Sequence, residues 1–150
     1  MRLQRHCACY SGINPREIFT DVYERRLWGN CNGQNYFSGA GSHNPDIVNP
    51  YVETIGTFLS SLSARPNVVD LGCGGFHVGH QIRPSCGRYI ACDIVQGLIE
   101  WNKTTFAVEN VDFRCLDILE ERLPKGKIVF IRQVLQHLGN ADVPKALKKT

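Results

Sequence analysis

The sequence predicts an α/β fold in which a parallel, doubly wound sheet of about four strands follows two N-terminal helices. Two observations predict it. From residue 67 onward, short apolar runs alternate with helical stripes of apolar residues, which is typical of a parallel sheet covered by helices. Before residue 67, two helical stripes flank a stretch rich in Gly, Asn and Ser. We therefore expect a helical leader over 1–66 and a core over 67–150.

The first helix of the leader has a clear start signal. Asn14 is a good N-cap, Pro15 suits the first helical position, and Glu17 occupies the capping-box position. Gly29 is expected to stop this helix. The apolar stripe of the helix consists of Phe19, Val22, Tyr23 and Leu27.

The rest of the leader is predicted to be a loop and a second helix. Residues 29–46 form the loop, and a loop of that length in a compact domain is usually functional or disordered. The second helix is predicted over 50–62, with Asn49 as its cap. Its buried stripe consists of Tyr51, Ile55, Phe58, Leu59 and Leu62.

The predicted core alternates strands and helices along the chain. The strands are expected at 68–71, 88–92, 111–115 and 127–131. The helices are expected at 75–83, at 95–106 and from 142 onward. In such a sheet the carboxyl ends of the strands lie at one edge, where open α/β folds bind their ligands.

The composition is that of an ordinary globular protein, with 43% hydrophobic and 21% charged residues in a chain of 150. A net charge of +3 is too small for the dense basic stripe of a nucleic-acid-binding protein. No apolar stretch approaches the length of a membrane span, and no signal peptide is visible. We expect a cytoplasmic protein with neither a membrane nor a nucleic acid as its partner.

Seven cysteines are present, an odd number without a repeated paired spacing. Free thiols in a reducing compartment fit this pattern best. The segment His6-Cys7-Ala8-Cys9 offers one Cys-x-Cys pair, but no second pair of ligands accompanies it. We therefore predict no metal site.

Two glycines follow the first predicted strand. Gly72 and Gly74 would let a cofactor approach the backbone closely, and the next helix offers free N–H groups at its start. A plain tight turn between a strand and a helix is the alternative explanation. The dinucleotide fingerprint G-x-G-x-x-G fails, because His77 stands where its third glycine would be.

Acidic residues follow the second and third predicted strands. Asp93 stands about twenty residues past the glycine turn, where a carboxylate accepts hydrogen bonds from ribose hydroxyls. Asp117 comes directly after the third strand region. A helix cap or a turn is the alternative role for Asp117.

The pattern Asp70-x-Gly72-x-Gly74 resembles motif I of the class I S-adenosylmethionine (SAM)-dependent methyltransferases, acidic-x-Gly-x-Gly-x-Gly. Phe76 stands at the last position of that motif, with Gly75 beside it. The segment 134–138, Val-Leu-Gln-His-Leu, is similar to the one that follows the fourth strand in many small-molecule members. The resemblance spans about 67–150 and implies a Rossmann-like sheet with SAM as its cofactor.

The resemblance also implies roles for individual residues. Asp93 is the ribose ligand, and Asp117 contacts the adenine amino group. His137 is the candidate catalytic base, because the ordinary histidine pKa suits proton removal near neutral pH; a packing or capping histidine is the alternative. The candidate cofactor-binding residues are Asp70, Gly72, Cys73, Gly74, Asp93, Ile94, Leu116, Asp117 and Gln133.

The leader carries a second resemblance. Trp28-Gly29 followed by the Ser- and Gly-rich segment 37–42 resembles the leader of a subset of bacterial methyltransferases. In those proteins a helix and a Ser/Gly loop fold over the cofactor. Backbone amides of such a loop would bind the methionine carboxylate as an anion nest, and a flexible linker is the alternative.

The resemblance implies transfer of a methyl group from SAM to a small-molecule acceptor by in-line displacement. A full class I core has more strands than this chain supplies, so we expect a truncated core whose exposed sheet edge invites self-association. Two alternatives stay open: a nucleotide- or NAD-binding protein of the same architecture, and a non-catalytic SAM-binding fragment that pairs with a partner chain. Methyl transfer from SAM to RNA, in place of a small molecule, is a minor variant of the methyltransferase function.

Overall fold

A computed structural model of the chain describes residues 14–30, 35–107 and 110–150. The helices are α1 (Pro15–Glu24), α2 (Ala40–His43), α3 (Pro45–Ser60), α4 (His77–Ile82), α5 (Gln96–Thr105) and α6 (Val143–Lys149). The strands are β1 (Val68–Leu71), β2 (Tyr89–Asp93), β3 (Val111–Cys115) and β4 (Ile128–Phe130). The predicted alternation of strands and helices from residue 67 onward is confirmed, with each strand end within about two residues of its expected place.

The described strands form one parallel sheet in the order β3-β2-β1-β4. β1 lies inside the sheet, and all four of its residues are buried. One hydrophobic cluster joins the sheet to α3, α4 and α5 through Leu59, Ile82 and Ile99. Val69 and Leu71 belong to a second cluster, on the opposite face, because successive strand residues alternate in direction. The predicted Rossmann-like fold class is therefore confirmed.

The first helix ends earlier than predicted. Arg26 takes a left-handed φ of 53°, and the Leu27 amide donates to the Val22 carbonyl at 2.9 Å. This arrangement ends a helix without a glycine, so the predicted stop at Gly29 was wrong. Leu27 is 45% exposed and does not belong to the buried stripe.

The second long helix begins earlier than predicted. Asn44, not Asn49, is its cap, and the Asn44 side chain accepts a hydrogen bond from the Asp46 amide at 3.0 Å. Pro50 consequently lies inside the helix. Each asparagine precedes a proline, so the local signal is the same at both positions. The additional turn buries Val48, which is 1% exposed. Helix α2 also lies within the stretch predicted to be a loop.

Other predictions concern the whole chain. Cys73, Cys86, Cys92 and Cys115 are free thiols, and Cys7, Cys9 and Cys31 lie outside the described residues. No group of three or more metal-ligating side chains occurs among the described residues, and the segment 6–9 lies outside them. None of the helices in the described ranges is long and apolar enough to cross a membrane. In the described sheet β3 and β4 are the edge strands, and self-association stays a prediction.

Candidate functional site

A cavity of about 310 Å³ opens where the strands end at their carboxyl side. Its volume lies at the lower end of the range for small-molecule sites. Loops after all four strands line it, together with α1 and the segment around α2. The cavity brings together every residue that the sequence predicted for the site: Asp70, Gly72, Cys73, Gly74, Asp93, Ile94, Leu116, Asp117, Gln133 and His137.

The glycine turn after β1 requires glycines for two reasons. Gly72 has a φ of 80° and Gly74 a φ of 53°, in the left-handed region that strains other residues. A Cβ atom on Gly72 would also collide with the side chain of Val134. The amides of Gly72 and Cys73 both donate to the Cys92 carbonyl, at 2.8 and 2.9 Å. These bonds tie the turn to the end of β2.

The peptide unit between Gly74 and Gly75 is held at both ends by side chains. Asn102 of α5 is fully buried, and its Nδ2 donates to the Gly74 carbonyl at 2.8 Å. The Gly75 amide donates to Ser38 Oγ at 2.9 Å. The Gly74 amide in turn donates to Asp93 Oδ2 at 3.0 Å. Because three bonds in different directions act on adjacent peptide groups, the turn has one orientation available to it.

Phe76 replaces the last glycine of the motif and still adopts a left-handed φ of 57°. Its side chain is completely buried and packs edge-on against Phe113 and Tyr89, with ring centroids 4.8 and 5.6 Å away. A Cβ atom on Gly79 would come within 2.5 Å of the Phe76 ring. Burial of the ring therefore offsets the backbone strain, and Gly79 leaves the room that the ring needs.

The two carboxylates beside the turn have different surroundings. Asp93 accepts hydrogen bonds from the amides of Gly74 and Val95; burial raises its pKa, and these bonds oppose the rise. Asp70 lies deeper and accepts a bond from the Tyr89 hydroxyl at 2.9 Å. Burial is the largest cause that raises the Asp70 pKa, to about 6.

Asp117 has the geometry of a turn residue, and its contact with adenine stays a prediction. Its Oδ1 accepts a hydrogen bond from the Leu119 amide at 2.8 Å, which is the geometry of a turn residue. Its own amide donates to Glu121 Oε1 at 2.9 Å. No hydrogen bond to Oδ2 occurs within the described ranges, and Asp117 lines the cavity. Oδ2 is therefore available to a ligand.

The segment after β4 forms the opposite wall of the cavity. Gln133 has a left-handed φ of 56° and lines the cavity beside Gly41. His137 packs against both Phe19 and Trp28, with ring centroids 6.0 and 5.5 Å away. Burial lowers the His137 pKa from its ordinary value, so the neutral imidazole predominates near neutral pH.

The leader packs over this cavity. Arg16 of α1 donates to the Ile94 carbonyl at 2.8 Å, and the Tyr23 hydroxyl lies 3.0 Å from Ser38 Oγ. Residues 38 and 39 and residues 41 to 43 also line the cavity. The predicted anion nest in this segment stays a prediction.

Two comparisons place the chain among known proteins. A family described as a methyltransferase domain matches residues 68–150, more than half of the chain. The chain belongs to the class I SAM-dependent methyltransferase family. Over 62 residues it is 37% identical to a malonyl-[acyl-carrier protein] O-methyltransferase of Acetivibrio thermocellus, covering 40% of this chain and 22% of that protein.

Solved structures show the same fold for this methyltransferase chain. The N-methyltransferase NodS of Bradyrhizobium japonicum, in complex with S-adenosylhomocysteine (SAH), has a TM-score of 0.65 and 18% identity, covering 86% of this chain and 65% of NodS. Magnesium protoporphyrin IX methyltransferase of Synechocystis PCC 6803, with bound SAM, has a TM-score of 0.66 and 15% identity, covering 92% and 71%. The chain thus spans about a fifth of the curated relative that it matches and less than two thirds of NodS.

The residues of this methyltransferase chain fit SAM. Gly72, Gly74 and Gly75 of the glycine turn line the cavity, and glycine lets a ligand approach the backbone closely. Asp93 supplies carboxylate oxygens at the end of β2, and the apolar side chains of Ile94, Leu116 and Ile118 line the cavity beside it. An adenine ring needs such apolar walls, and a ribose needs such an acceptor.

Sequence reasoning missed two polar residues of the site. Asn102 stands four residues after Leu98, on the apolar stripe of α5, and both are fully buried. Arg132 stands directly after the apolar run of β4 and lines the cavity. Both residues could have been noticed in the sequence, because each is a polar residue at a position where the local pattern predicts an apolar one.

Proposed function

We propose that this chain binds SAM in the cavity and contributes the cofactor half of a methyltransferase for a small-molecule acceptor. The observation that carries the proposal is the bond between the Gly74 amide and Asp93. That bond holds an acidic side chain beside a glycine turn at the carboxyl end of adjacent parallel strands. The methyltransferases NodS and magnesium protoporphyrin IX methyltransferase, which share the fold, were solved with SAH and SAM respectively.

The proposed contacts follow from the positions of the side chains. Asp93 accepts hydrogen bonds from the ribose hydroxyls with its remaining lone pairs. Asp117 Oδ2 accepts a hydrogen bond from the adenine amino group. Ile94 and Leu116 enclose the adenine ring, while Gln133 lines the far end of the cofactor. The backbone of Gly72, Cys73 and Gly74, with Asp70 beneath it, supports the methionine portion.

SAM, when bound, supplies a methyl group on a sulfonium that reacts by in-line displacement. The protein's part is to hold the acceptor on the side of the methyl carbon opposite the sulfur and to exclude water. His137 is the proposed base, because a neutral imidazole accepts the proton that an alcohol or amine acceptor loses. Its packing against Phe19 and Trp28 supports a fixed orientation of the ring.

Calorimetric titration with SAH tests the proposal without an identified acceptor. We expect SAH to bind the wild-type chain, and NAD not to bind. Asp93→Ala is expected to weaken SAH about 10- to 100-fold, since it removes charge-assisted hydrogen bonds. Glu53→Gln, which changes an exposed carboxylate outside the cavity, is the matched control. Unchanged SAH affinity in Asp93→Ala would contradict the assignment of Asp93 as the ribose ligand. Binding of NAD but not SAH would overturn the proposed function.

The protonation of His137 is tested separately by NMR. We expect its Cε1–H resonance to titrate below the ordinary histidine range, because the surrounding rings desolvate the imidazolium. Trp28→Ala exposes the ring and should move the midpoint upward. A midpoint above the ordinary range in the wild type would leave His137 mostly protonated at neutral pH and contradict its role as a base.

A further inference from the structure

One guanidinium lies on the wall of the cavity. Among the described residues that line it, Arg132 is the only Lys or Arg side chain. It stands two residues after the end of β4, at the carboxyl edge of the sheet, and is partly buried. A cation in this place faces whatever molecule the cavity holds.

Neutral groups hold the Arg132 side chain in position. Its guanidinium donates to the Gly41 carbonyl and, at 3.4 Å, to Ser42 Oγ. The guanidinium carbon also lies 4.9 Å from the centre of the Tyr51 ring, within the range of a cation–π contact. These contacts fix the orientation of the guanidinium and neutralise none of its charge.

Arg132 has no ion-pair partner in the described part of the chain. The described salt bridges lie within 4.0 Å and involve Arg16, Arg25, Arg88, Arg114 and Lys145. Asp70 lies close enough for the Arg132 charge to oppose the rise of its pKa, but it forms no ion pair with Arg132. A partly buried cation without a carboxylate carries a desolvation cost that an anionic ligand group would offset.

The donors of a guanidinium match the two oxygens of a carboxylate. Asp70 lines the same cavity with the opposite charge when ionised. A cavity wall that presents one carboxylate and one guanidinium is complementary to an α-amino acid group, which carries an ammonium and a carboxylate. The methionine portion of SAM is such a group.

We propose that Arg132 binds a carboxylate of the ligand in this cavity, supplied either by the amino acid end of SAM or by the methyl acceptor. The proposal rests on the proposed function, because it assigns a residue of the same cavity. It adds to the backbone nest expected from the segment 37–42 a charged side chain that is anchored on that segment.

Calorimetry with three ligands tests the cofactor as the source. SAH carries the carboxylate, decarboxylated SAH lacks only that group, and methylthioadenosine lacks the whole amino acid end. If SAM supplies the carboxylate, Arg132→Gln should weaken SAH about 10- to 100-fold and change the other two ligands less than about twofold. Arg132→Lys should bind SAH more tightly than Arg132→Gln but less tightly than the wild type, since lysine keeps the positive charge without the paired N–H donors of a guanidinium. Lys103→Gln, an exposed change outside the cavity, should leave the affinities for all three ligands unchanged.

NMR of the Arg132 side chain tests the acceptor as the source. If the acceptor supplies the carboxylate, the Nε–H resonance should stay in place when SAH is added and shift when benzoate is added to the SAH complex. Arg132→Gln should abolish benzoate binding.

The proposal is overturned if Arg132→Gln weakens SAH and its decarboxylated form equally, because the side chain would then act only by supporting Gly41. It is also overturned if neither ligand moves the Arg132 resonance. Wild-type chain that binds no SAH at all would refute the proposed function instead.

Discussion

The two walls of the cavity are held mainly by different kinds of contact. On the side of the glycine turn, hydrogen bonds hold successive peptide groups from Gly72 to Gly75. On the side of the segment 131–138, ring contacts hold His137, and Val134 packs against the turn. Hydrogen bonds are directional, whereas apolar packing tolerates exchange of side chains. We therefore expect substitutions in the first wall to disturb its geometry more than exchanges among the packed side chains of the second wall.

Gly72→Ala tests the place where the two walls meet, and we expect the largest effect there. The new Cβ would collide with Val134 and would sit at a φ of 80°. Backbone strain and overpacking together should cost about 2–4 kcal/mol of unfolding free energy, measured by urea denaturation. Gly56→Ala is the matched control, because nothing lies within 4 Å of its Cβ position in α3, and it should stabilise the fold by up to about 1 kcal/mol.

The double variant Gly72→Ala with Val134→Ala separates the two causes. Removing the Val134 side chain relieves the collision but leaves the left-handed backbone. We expect a partial recovery of the unfolding free energy. A full recovery would mean that the φ of Gly72 relaxes freely, and the turn would then be less rigid than its hydrogen bonds imply.

The sequence predicted the first wall better than the second, for a physical reason. Asp70, Gly72 and Gly74 lie within one turn, so the geometry that requires them is local and visible in their spacing. The bond from Arg132 to Gly41 joins residues 91 positions apart. No local pattern carries such a contact, because the fold alone brings the two residues together.

The leader shows the same limit. Asn44 and Asn49 offer equal local signals for a helix start, and the choice between them depends on the burial of Val48. That burial is a tertiary effect, which overrides helix propensity. The strands of the core were predictable because their apolar runs are themselves the buried surface.

Asp70→Asn tests whether the first wall stores electrostatic strain. The folded pKa of Asp70 is about 6 and its ordinary value is 3.8, so the folded state binds the proton more tightly than the unfolded state. The stability that the protonated carboxyl provides is present below pH 4 and is lost as the pH rises through 6. The variant should therefore gain up to about 3 kcal/mol over the wild type between pH 4 and pH 7.

Urea denaturation at several pH values measures this difference. The asparagine keeps an acceptor for the Tyr89 hydroxyl, so packing is matched in the two proteins. If the difference in unfolding free energy between the variant and the wild type stays constant with pH, folding does not disfavour ionisation of Asp70. The first wall would then store no electrostatic strain.

Asn102→Leu should have the smallest effect on stability and still weaken the cofactor. The Oδ1 atom of Asn102 is buried without a hydrogen-bond partner in the described structure, which costs free energy that leucine recovers. The substitution also leaves the Gly74 carbonyl without its donor. We expect these changes to cancel within about 1 kcal/mol. Because the Gly74 amide holds Asp93, SAH affinity should fall about three- to tenfold.

Ser38→Ala acts on the other end of the same peptide unit and provides the comparison for Asn102→Leu. If the two side chains hold one peptide plane, their effects on SAH affinity should be less than additive in the double variant. Glu53→Gln, an exposed change outside the cavity, should leave SAH affinity unchanged. Strictly additive losses would mean that the Gly74–Gly75 peptide does not move as a unit. The rigidity of the first wall would then come from the backbone bonds to Cys92 and from the bond between the Gly74 amide and Asp93.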